Sequence, residues 1–268
     1  MSLRIARSYW GPGSRAGRGI ESSGVEVHYS DPAVAAFVLI PTLLAAVLVW
    51  GTGFAWRRSG ASDAAATRAS FAVGGATVVW MAATWLAAQS GILRLWDRTP
   101  PPFGVLLLAI VAVATLLAFG AVGRRLALFV PLWLLVAVQG FRLPLELAMH
   151  AMYERGVMPV EMSFSGRNFD VVSGATALVV AALVFMGRGG RRIVAAWNVL
   201  GLALLVNVVV VALLGTPRFR YFGDHLNVWV TYPPFVWLPA VMVLAALAGH
   251  LVIFGALRQP SGSRTSLQ

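Results

Sequence analysis

Long apolar stretches separated by short polar connections form the main pattern along this chain. A helix needs roughly 20 apolar residues to cross about 30 Å of hydrocarbon. The stretches that meet this requirement cover about residues 33–55, 70–92, 101–121, 126–149, 169–186, 193–214 and 233–256. The pattern predicts an all-α fold: a polytopic transmembrane bundle of seven helices with no room for a soluble domain between them.

The two ends of the chain differ from this bundle in composition. Residues 1–32 are rich in Gly, Ser and Arg and contain no apolar run, so we expect a mostly disordered N-terminal tail. The seven-helix transmembrane domain then covers residues 33–257, and residues 258–268 form a disordered C-terminal tail.

Composition places the chain in the membrane class. It is 59% hydrophobic and only 12% charged, whereas a soluble domain carries about 25% charged residues. The net charge of +11 does not indicate nucleic acid here, because basic loops are expected in membrane proteins. The predicted partner is the lipid bilayer, with no nucleic acid; a small-molecule ligand or a membrane protein partner remains possible.

Arginines near the predicted span ends set the orientation. The side with ten arginines and one acidic residue is predicted to be cytoplasmic. These arginines are Arg57, Arg58, Arg68, Arg124, Arg125, Arg188, Arg191, Arg192, Arg258 and Arg264. The other side, apart from the distal N-terminal tail, carries six arginines diluted by five acidic residues. The four tail arginines, from Arg4 to Arg18, argue against this orientation but lie far from the first span. The N-terminus is therefore predicted outside and the C-terminus in the cytoplasm.

Two residue types are absent, and each absence excludes some chemistry. Without cysteine there are no disulfides and no thiolate metal ligands. All basic residues are arginine, so the absence of lysine excludes the retinal Schiff base that seven spans would otherwise suggest. No cofactor is predicted.

A polar stripe in the predicted fourth span is the strongest functional signal. Gln139, Arg142, Glu146 and His150 are spaced by three, four and four residues, which puts them on one helical face. Ionisable residues at membrane depth usually face the bundle interior and pair with one another. Arg142 and Glu146, four residues apart, are expected to share hydrogen bonds and charge, as are Glu146 and His150. We expect a ligand-binding site or a proton path that descends from the outer interface. The alternative is an internal ion pair that locks the helix to its neighbours.

The connector after the stripe supplies further candidates. Gly156, Pro159 and Gly166 break helical structure, and the intervening residues are apolar enough to fold back onto the bundle mouth. Asn168 and Asp170 would then lie beside His150, although they would also serve as a cap and a first-turn acid of the fifth helix.

Small residues and a second stripe complete the candidates for packing and binding. The small residues Ser173, Gly174, Ala177 and Ala181 predict close packing of the fifth span on the fourth. Thr77, Trp80 and Thr84 in the second span either line a ligand cavity or pack against another helix.

No sequence motif in this chain identifies a reaction class. Glu146, His150 and Asp170 are the candidates for acid–base catalysis, but no catalytic residue is assigned. No metal site is predicted, and a metal would take its ligands from Glu146, His150, Asp170 and His225. His250, in the last span, is expected near the cytoplasmic face and too far from His150 to share a site with it.

The run from Arg142 through His150, with Gly156, Pro159, Asn168, Asp170 and Gly174, resembles an uncharacterised family of bacterial seven-helix integral membrane proteins. The segment Pro234–Pro239 and His250 are similar to the last span of that family. The resemblance implies a multi-pass protein of the bacterial cytoplasmic (inner) membrane and implies no activity.

Three functions therefore remain open. The first is binding or transport of a small molecule or proton at an outward-opening site on the fourth helix and the following connector. The second is a membrane assembly or partner-binding protein whose buried ion pair is structural. The third is an intramembrane enzyme that uses Glu146, His150 or Asp170 as acid or base.

Overall fold

The computed structural model describes residues 2–5, 25–28 and 30–259 of the chain. Most of the tail at 1–32 and nearly all of 258–268 lie outside these ranges, so their predicted disorder stays a prediction. Two short strands near the N-terminus, β1 (Ser2–Ile5) and β2 (Val25–His28), pair in antiparallel register.

Helices make up the rest of the described fold. The α-helices are α1 (Pro32–Arg58), α2 (Asp63–Gln89), α3 (Pro102–Phe119), α4 (Ala121–Phe129), α5 (Leu132–Val138), α6 (Arg142–Glu154), α7 (Asp170–Phe185), α8 (Arg191–Leu214) and α9 (Leu244–Arg258). Short 3₁₀ turns occur at Ile92–Arg94, Gln139–Phe141, Val160–Met162 and Trp229–Thr231, and a π-helical segment, Leu238–Val243, leads into α9.

Within the described residues, six helical segments are long and apolar enough to cross a membrane. They are α1, α2, α3, the combined α5–α6 segment Leu132–Glu154, α8 and the combined segment Leu238–Arg258. The fifth predicted span is the 16-residue helix α7, which is shorter than this set. The chain is thus a multi-pass integral membrane protein, and the count of seven spans stays a prediction.

Apolar side chains cover both the inside and the outside of the bundle. Phe37, Trp229 and Phe235 pack edge to face in its core, with ring centroids 5.0 to 5.6 Å apart. Large apolar side chains such as Phe71 and Leu108 are at least 70% exposed. In water such a surface would drive association, whereas in hydrocarbon it is the expected exterior.

The fourth predicted span begins later than its apolar pattern suggests. Pro131 lacks an N–H, and it holds the preceding residue Val130 in an extended conformation (φ −88°, ψ 134°). The chain therefore forms the separate short helix α4 before α5 starts at Leu132. Between α5 and α6 the backbone tightens into the 3₁₀ turn Gln139–Phe141, so the polar stripe begins at a change of helical pitch.

The last span also starts later than the predicted residue 233. Residues 233–236 form turns around Pro233 and Pro234, and helix begins only at the π-helical segment Leu238–Val243. The Trp80 indole N–H of α2 donates to the Ala240 carbonyl at 2.8 Å. Ala240 lies in the π-helical segment, where the backbone departs from the regular α-helical hydrogen-bond pattern. The hydrogen bond from Trp80 connects α2 to the start of the last span.

Candidate functional site

Arg142, the first residue of α6, is the centre of the buried polar cluster. It is 1% exposed. Its Nε donates to Asp170 Oδ2 at 2.5 Å, and its Nη2 donates to Asp170 Oδ1. Such bidentate pairs are the strongest arginine–carboxylate contacts. The pair joins α6 to the first turn of α7 across the connector.

The remaining guanidinium nitrogen is also bound within the protein. Nη1 of Arg142 lies 2.8 Å from Ser173 Oγ, 2.9 Å from His250 Nε2 and 3.3 Å from the Gly201 carbonyl oxygen. Because a guanidinium only donates, His250 Nε2 must accept. Four helices, α6, α7, α8 and α9, therefore meet at one charged side chain.

A pair of hydrogen bonds fixes the His250 ring. If Nε2 accepts from Arg142, the proton lies on Nδ1, which is 2.8 Å from Asn198 Oδ1. The Asn198 amide in turn donates to the His250 carbonyl at 3.1 Å. Both residues are fully buried, so the neutral ring is held in one tautomer between α8 and α9.

The exclusion of His250 from the site was wrong. The expectation placed it near the cytoplasmic end of a span starting at residue 233, but helix starts at Leu238. His250 is then 12 residues into the segment Leu238–Arg258, and Arg142 is 12 residues from the end of Leu132–Glu154. At about 1.5 Å per residue the two side chains reach similar depth from the same end of the bundle.

Two glycines allow this close assembly. A Cβ added at Gly174 would lie 2.9 Å from the Arg142 carbonyl carbon and closer still to the Leu143 nitrogen. At Gly201 it would lie 2.6 Å from His250 Cε1 and 2.9 Å from Ser173 Oγ. The close approach of the small-residue face of α7 to the fourth span is thus confirmed, and a second small position on α8 completes it.

Glu146 has a different partner from the one expected. Its two oxygens accept from a single amide nitrogen, Asn168 Nδ2, at 2.9 and 2.8 Å. In residues 30–259 its carboxyl group takes part in no ion pair. The expected hydrogen-bond sharing between Arg142 and Glu146 does not occur, because Asp170 and the groups around it satisfy the guanidinium.

Asn168 is not the N-cap of α7, which is Phe169, but it bonds both the start of this helix and Glu146 of the stripe. Its Oδ1 accepts from the Asp170 N–H at 3.0 Å, which satisfies a first-turn donor of α7. Its Nδ2 also donates to the Met162 carbonyl at 3.0 Å, besides Glu146. The connector residues Met158 and Met162 are buried, so the connector does fold back onto the bundle.

His150 lies apart from both carboxylates. Its Nδ1 is 2.8 Å from Ser163 Oγ, its Nε2 is 3.6 Å from Glu154, and its ring stacks on Phe164. The expectation that Asp170 lies beside His150 is wrong, because Asp170 turns inward to Arg142. The acid–base candidates Glu146, His150 and Asp170 therefore have three separate sets of partners.

The four candidate metal ligands are not gathered in one place. His225 pairs with Glu161 of the connector at 3.0 Å, while Glu146, His150 and Asp170 have the partners given above. Across the described residues no group of three or more His, Asp or Glu side chains is arranged to hold a metal ion.

A small cavity reaches the Glu146 side chain. Its volume is about 60 Å³, and Arg142, Glu146 and Asp170 are its ionisable lining residues. The other walls are apolar and come from the N-terminal turns of α3, the C-terminal turns of α8 and the segment Leu238–Val243. The cavity therefore lies in the half of the bundle that carries the connector, which we call the connector half.

No protein-family model, curated protein or solved structure matches the chain.

Sequence reasoning missed Ser173, Asn198, Gly201 and His250 as partners of Arg142. Asn198 and His250 are polar residues within separate apolar stretches. That isolation was the one sequence feature that could have indicated a buried polar contact. Only the helix start at Leu238 brings His250 level with the stripe.

Replacing Asn168 with Leu tests how Glu146 is accommodated. The variant keeps the branched shape of the side chain but removes the amide donor of a buried carboxyl group, so we expect a loss of about 1–3 kcal/mol in the free energy of unfolding. Thermal unfolding in detergent micelles measures it. Asn207→Leu is the control, since the Asn207 amide donates to the Arg167 carbonyl at a more exposed position. Equal losses in both variants would contradict a special role for Asn168.

Proposed function

We propose that this membrane protein binds or transports a proton or a small hydrogen-donating solute at Glu146. The supporting observation is the environment of this residue: the Glu146 side chain, 2% exposed, lines a cavity, and its carboxyl group has one neutral amide as its hydrogen-bond partner. Arg142 and Asp170 satisfy each other. Glu146 therefore retains acceptor capacity for an incoming donor.

The size and place of the cavity narrow this proposal. A volume of about 60 Å³ holds a few water molecules, since one water needs roughly 10–15 Å³ on this scale. Drug-sized ligands occupy about 300–1,000 Å³. A proton carried with water, or a solute of a few heavy atoms, fits best. With the predicted orientation, the connector half faces outward, and the site opens to the outside of a bacterial cytoplasmic membrane.

A second candidate function has its own support. The guanidinium nitrogens of Arg142 all donate to buried groups of α7, α8 and α9, as expected for an ion pair that fixes helix packing. A membrane assembly or partner-binding protein with a structural ion pair accounts for Arg142 and Asp170, but it gives no reason for Glu146 to line a cavity. Membership of the bacterial family that the sequence resembles stays a prediction.

Glu146→Gln tests the proposed site. The amide keeps the size of the side chain and can still accept from Asn168, so we expect the free energy of unfolding to change by no more than about 1 kcal/mol. In vesicles with a trapped pH indicator and an imposed potassium diffusion potential, the wild-type protein should accelerate proton entry. The variant should be slower by about tenfold or more, because an amide cannot exchange a proton as a carboxyl group does.

A second experiment tests whether the site binds small solutes. Small amines and alcohols are screened for a rise in the unfolding temperature of the wild-type protein, and any rise should be absent in Glu146→Gln. If neither proton entry nor a solute response depends on Glu146, the proposal is wrong. If Glu146→Gln fails to fold in detergent, the structural function is favoured instead.

A further inference from the structure

A larger apolar groove lies in the other half of the bundle. Its volume is about 390 Å³, within the range of small-molecule pockets. Its walls come from α1, α2, α3, α4, α5 and the last span, and include Leu44, Trp80, Leu126, Leu134, Val241 and Val252. Val47 and Trp50 also line the groove and are 41% and 56% exposed. The groove therefore reaches the lipid-facing surface.

One buried polar group in the groove wall has an unused acceptor. Gln139 is 1% exposed, and its Nε2 donates to the Ala246 carbonyl at 3.4 Å. Its Oε1 is buried and has no hydrogen-bond partner in the described part of the chain. An unsatisfied buried acceptor is costly, and at membrane depth no bulk water relieves it.

Two other polar side chains that line the groove, Trp80 and Thr77, are already bonded. Trp80 donates to the Ala240 carbonyl at 2.8 Å, and the Thr77 hydroxyl donates to the Val73 carbonyl at 2.8 Å. Trp50 at the exposed edge carries only an N–H donor. Within the described residues, Gln139 is thus the side chain of the groove that offers a buried acceptor with no hydrogen-bond partner. This groove is distinct from the Glu146 cavity, whose lining includes Ala246 but not Gln139.

We propose that this groove is an intramembrane binding site for a lipid-like molecule with a long apolar body and a single hydroxyl group. The apolar body lies in the groove between the walls formed by α1, α2 and the last span. The hydroxyl group reaches inward, and a rotation of the buried Gln139 amide allows it to donate to Gln139 Oε1. The ligand enters sideways from the bilayer beside Val47 and Trp50.

The unpaired acceptor Gln139 Oε1 favours this ligand over an ordinary acyl chain. An acyl tail matches the walls but carries no donor, so it leaves Gln139 Oε1 unsatisfied. A hydroxyl group satisfies it without bringing a charge to membrane depth.

The test uses a matched pair of probes on the full-length protein in lipid vesicles. One is a long-chain alcohol that carries a photoreactive diazirine, and the other is its methyl ether. We expect the alcohol to label groove residues about five- to tenfold more than the ether, the scale of one net hydrogen bond. In Gln139→Leu the two probes should label equally, at the level of the ether.

A second pair of variants keeps the test informative if Gln139→Leu does not fold. Ala76 lines the groove and is exposed, so Ala76→Phe fills the groove without overpacking the core. Val79 is 69% exposed on the same helix and does not line the groove. Labelling by the alcohol should fall in Ala76→Phe and persist in Val79→Phe. Equal labelling of the wild-type protein by alcohol and ether, or labelling unaffected by Ala76→Phe, would overturn the proposal.

Discussion

Asp170→Asn is expected to lower the free energy of unfolding by about 3–5 kcal/mol, the cost of leaving one partner of a buried ion pair uncompensated. Arg142 would stay charged beside a neutral amide, with Ser173, His250 and the Gly201 carbonyl as its remaining partners. None of these carries a negative charge. Thermal unfolding in detergent, followed with size-exclusion chromatography, measures the loss.

The double variant Arg142→Met/Asp170→Leu separates charge from packing. When both charges are replaced by apolar side chains of similar volume, stability is often kept or improved. We therefore expect the double variant to unfold at a higher temperature than Asp170→Asn.

An exposed pair of the same residue types provides the control. Arg220 and Asp224 pair at 2.9 Å, but their side chains are 59% and 70% exposed. Asp224→Asn should change stability by no more than about 0.5 kcal/mol. If Asp170→Asn were as mild as Asp224→Asn, the ion pair would not lock the helices together.

The existence of a buried polar stripe could be predicted, but not the partner of each residue. Helical spacing shows which side chains share a face, and Gln139, Arg142 and Glu146 are indeed all buried. Spacing does not show which neighbour supplies the better donor or acceptor. Asp170 offers Arg142 two aligned oxygens across the connector, so the expected contact between Arg142 and Glu146 along the helix does not form.

The depth of a residue in the membrane depends on where its helix starts. Hydropathy includes the apolar residues 233–237 in the last span, although residues 233–236 form turns around Pro233 and Pro234 and the helical segment starts at Leu238. Those residues displace the expected position of His250 by more than one helical turn. An error of that size is enough to exclude a residue from a site to which it belongs.

The stripe divides into two parts with different physical roles. Arg142 is bound on every side by buried groups from three other helices, which favours a structural role. Glu146, one turn further along α6, has a single neutral partner and lines a cavity. Substitutions at the two positions should therefore have different effects: changes at Arg142 act on folding, and changes at Glu146 act on binding or transport.

Gly174→Ala is expected to destabilise the bundle by about 1–3 kcal/mol, the usual cost of overpacking a well-packed interior. The added Cβ would lie 2.9 Å from the Arg142 carbonyl carbon and closer still to the Leu143 nitrogen. These are backbone atoms, so no side chain can rotate away, and α7 must move away from α6. The movement would also lengthen the contact between Arg142 and Asp170.

Gly75→Ala is the matched control, because Gly75 lies inside α2 and a Cβ there meets nothing within 4 Å. An alanine in an open helical position stabilises a helix by about 0.5–1 kcal/mol relative to glycine. The two substitutions should therefore shift the unfolding temperature in opposite directions.

Combining Gly174→Ala with Asp170→Asn should lower the free energy of unfolding by less than the sum of the two single losses, because both act through the same contact between α6 and α7. Strict additivity would show that the close approach of the helices and the ion pair stabilise the bundle independently.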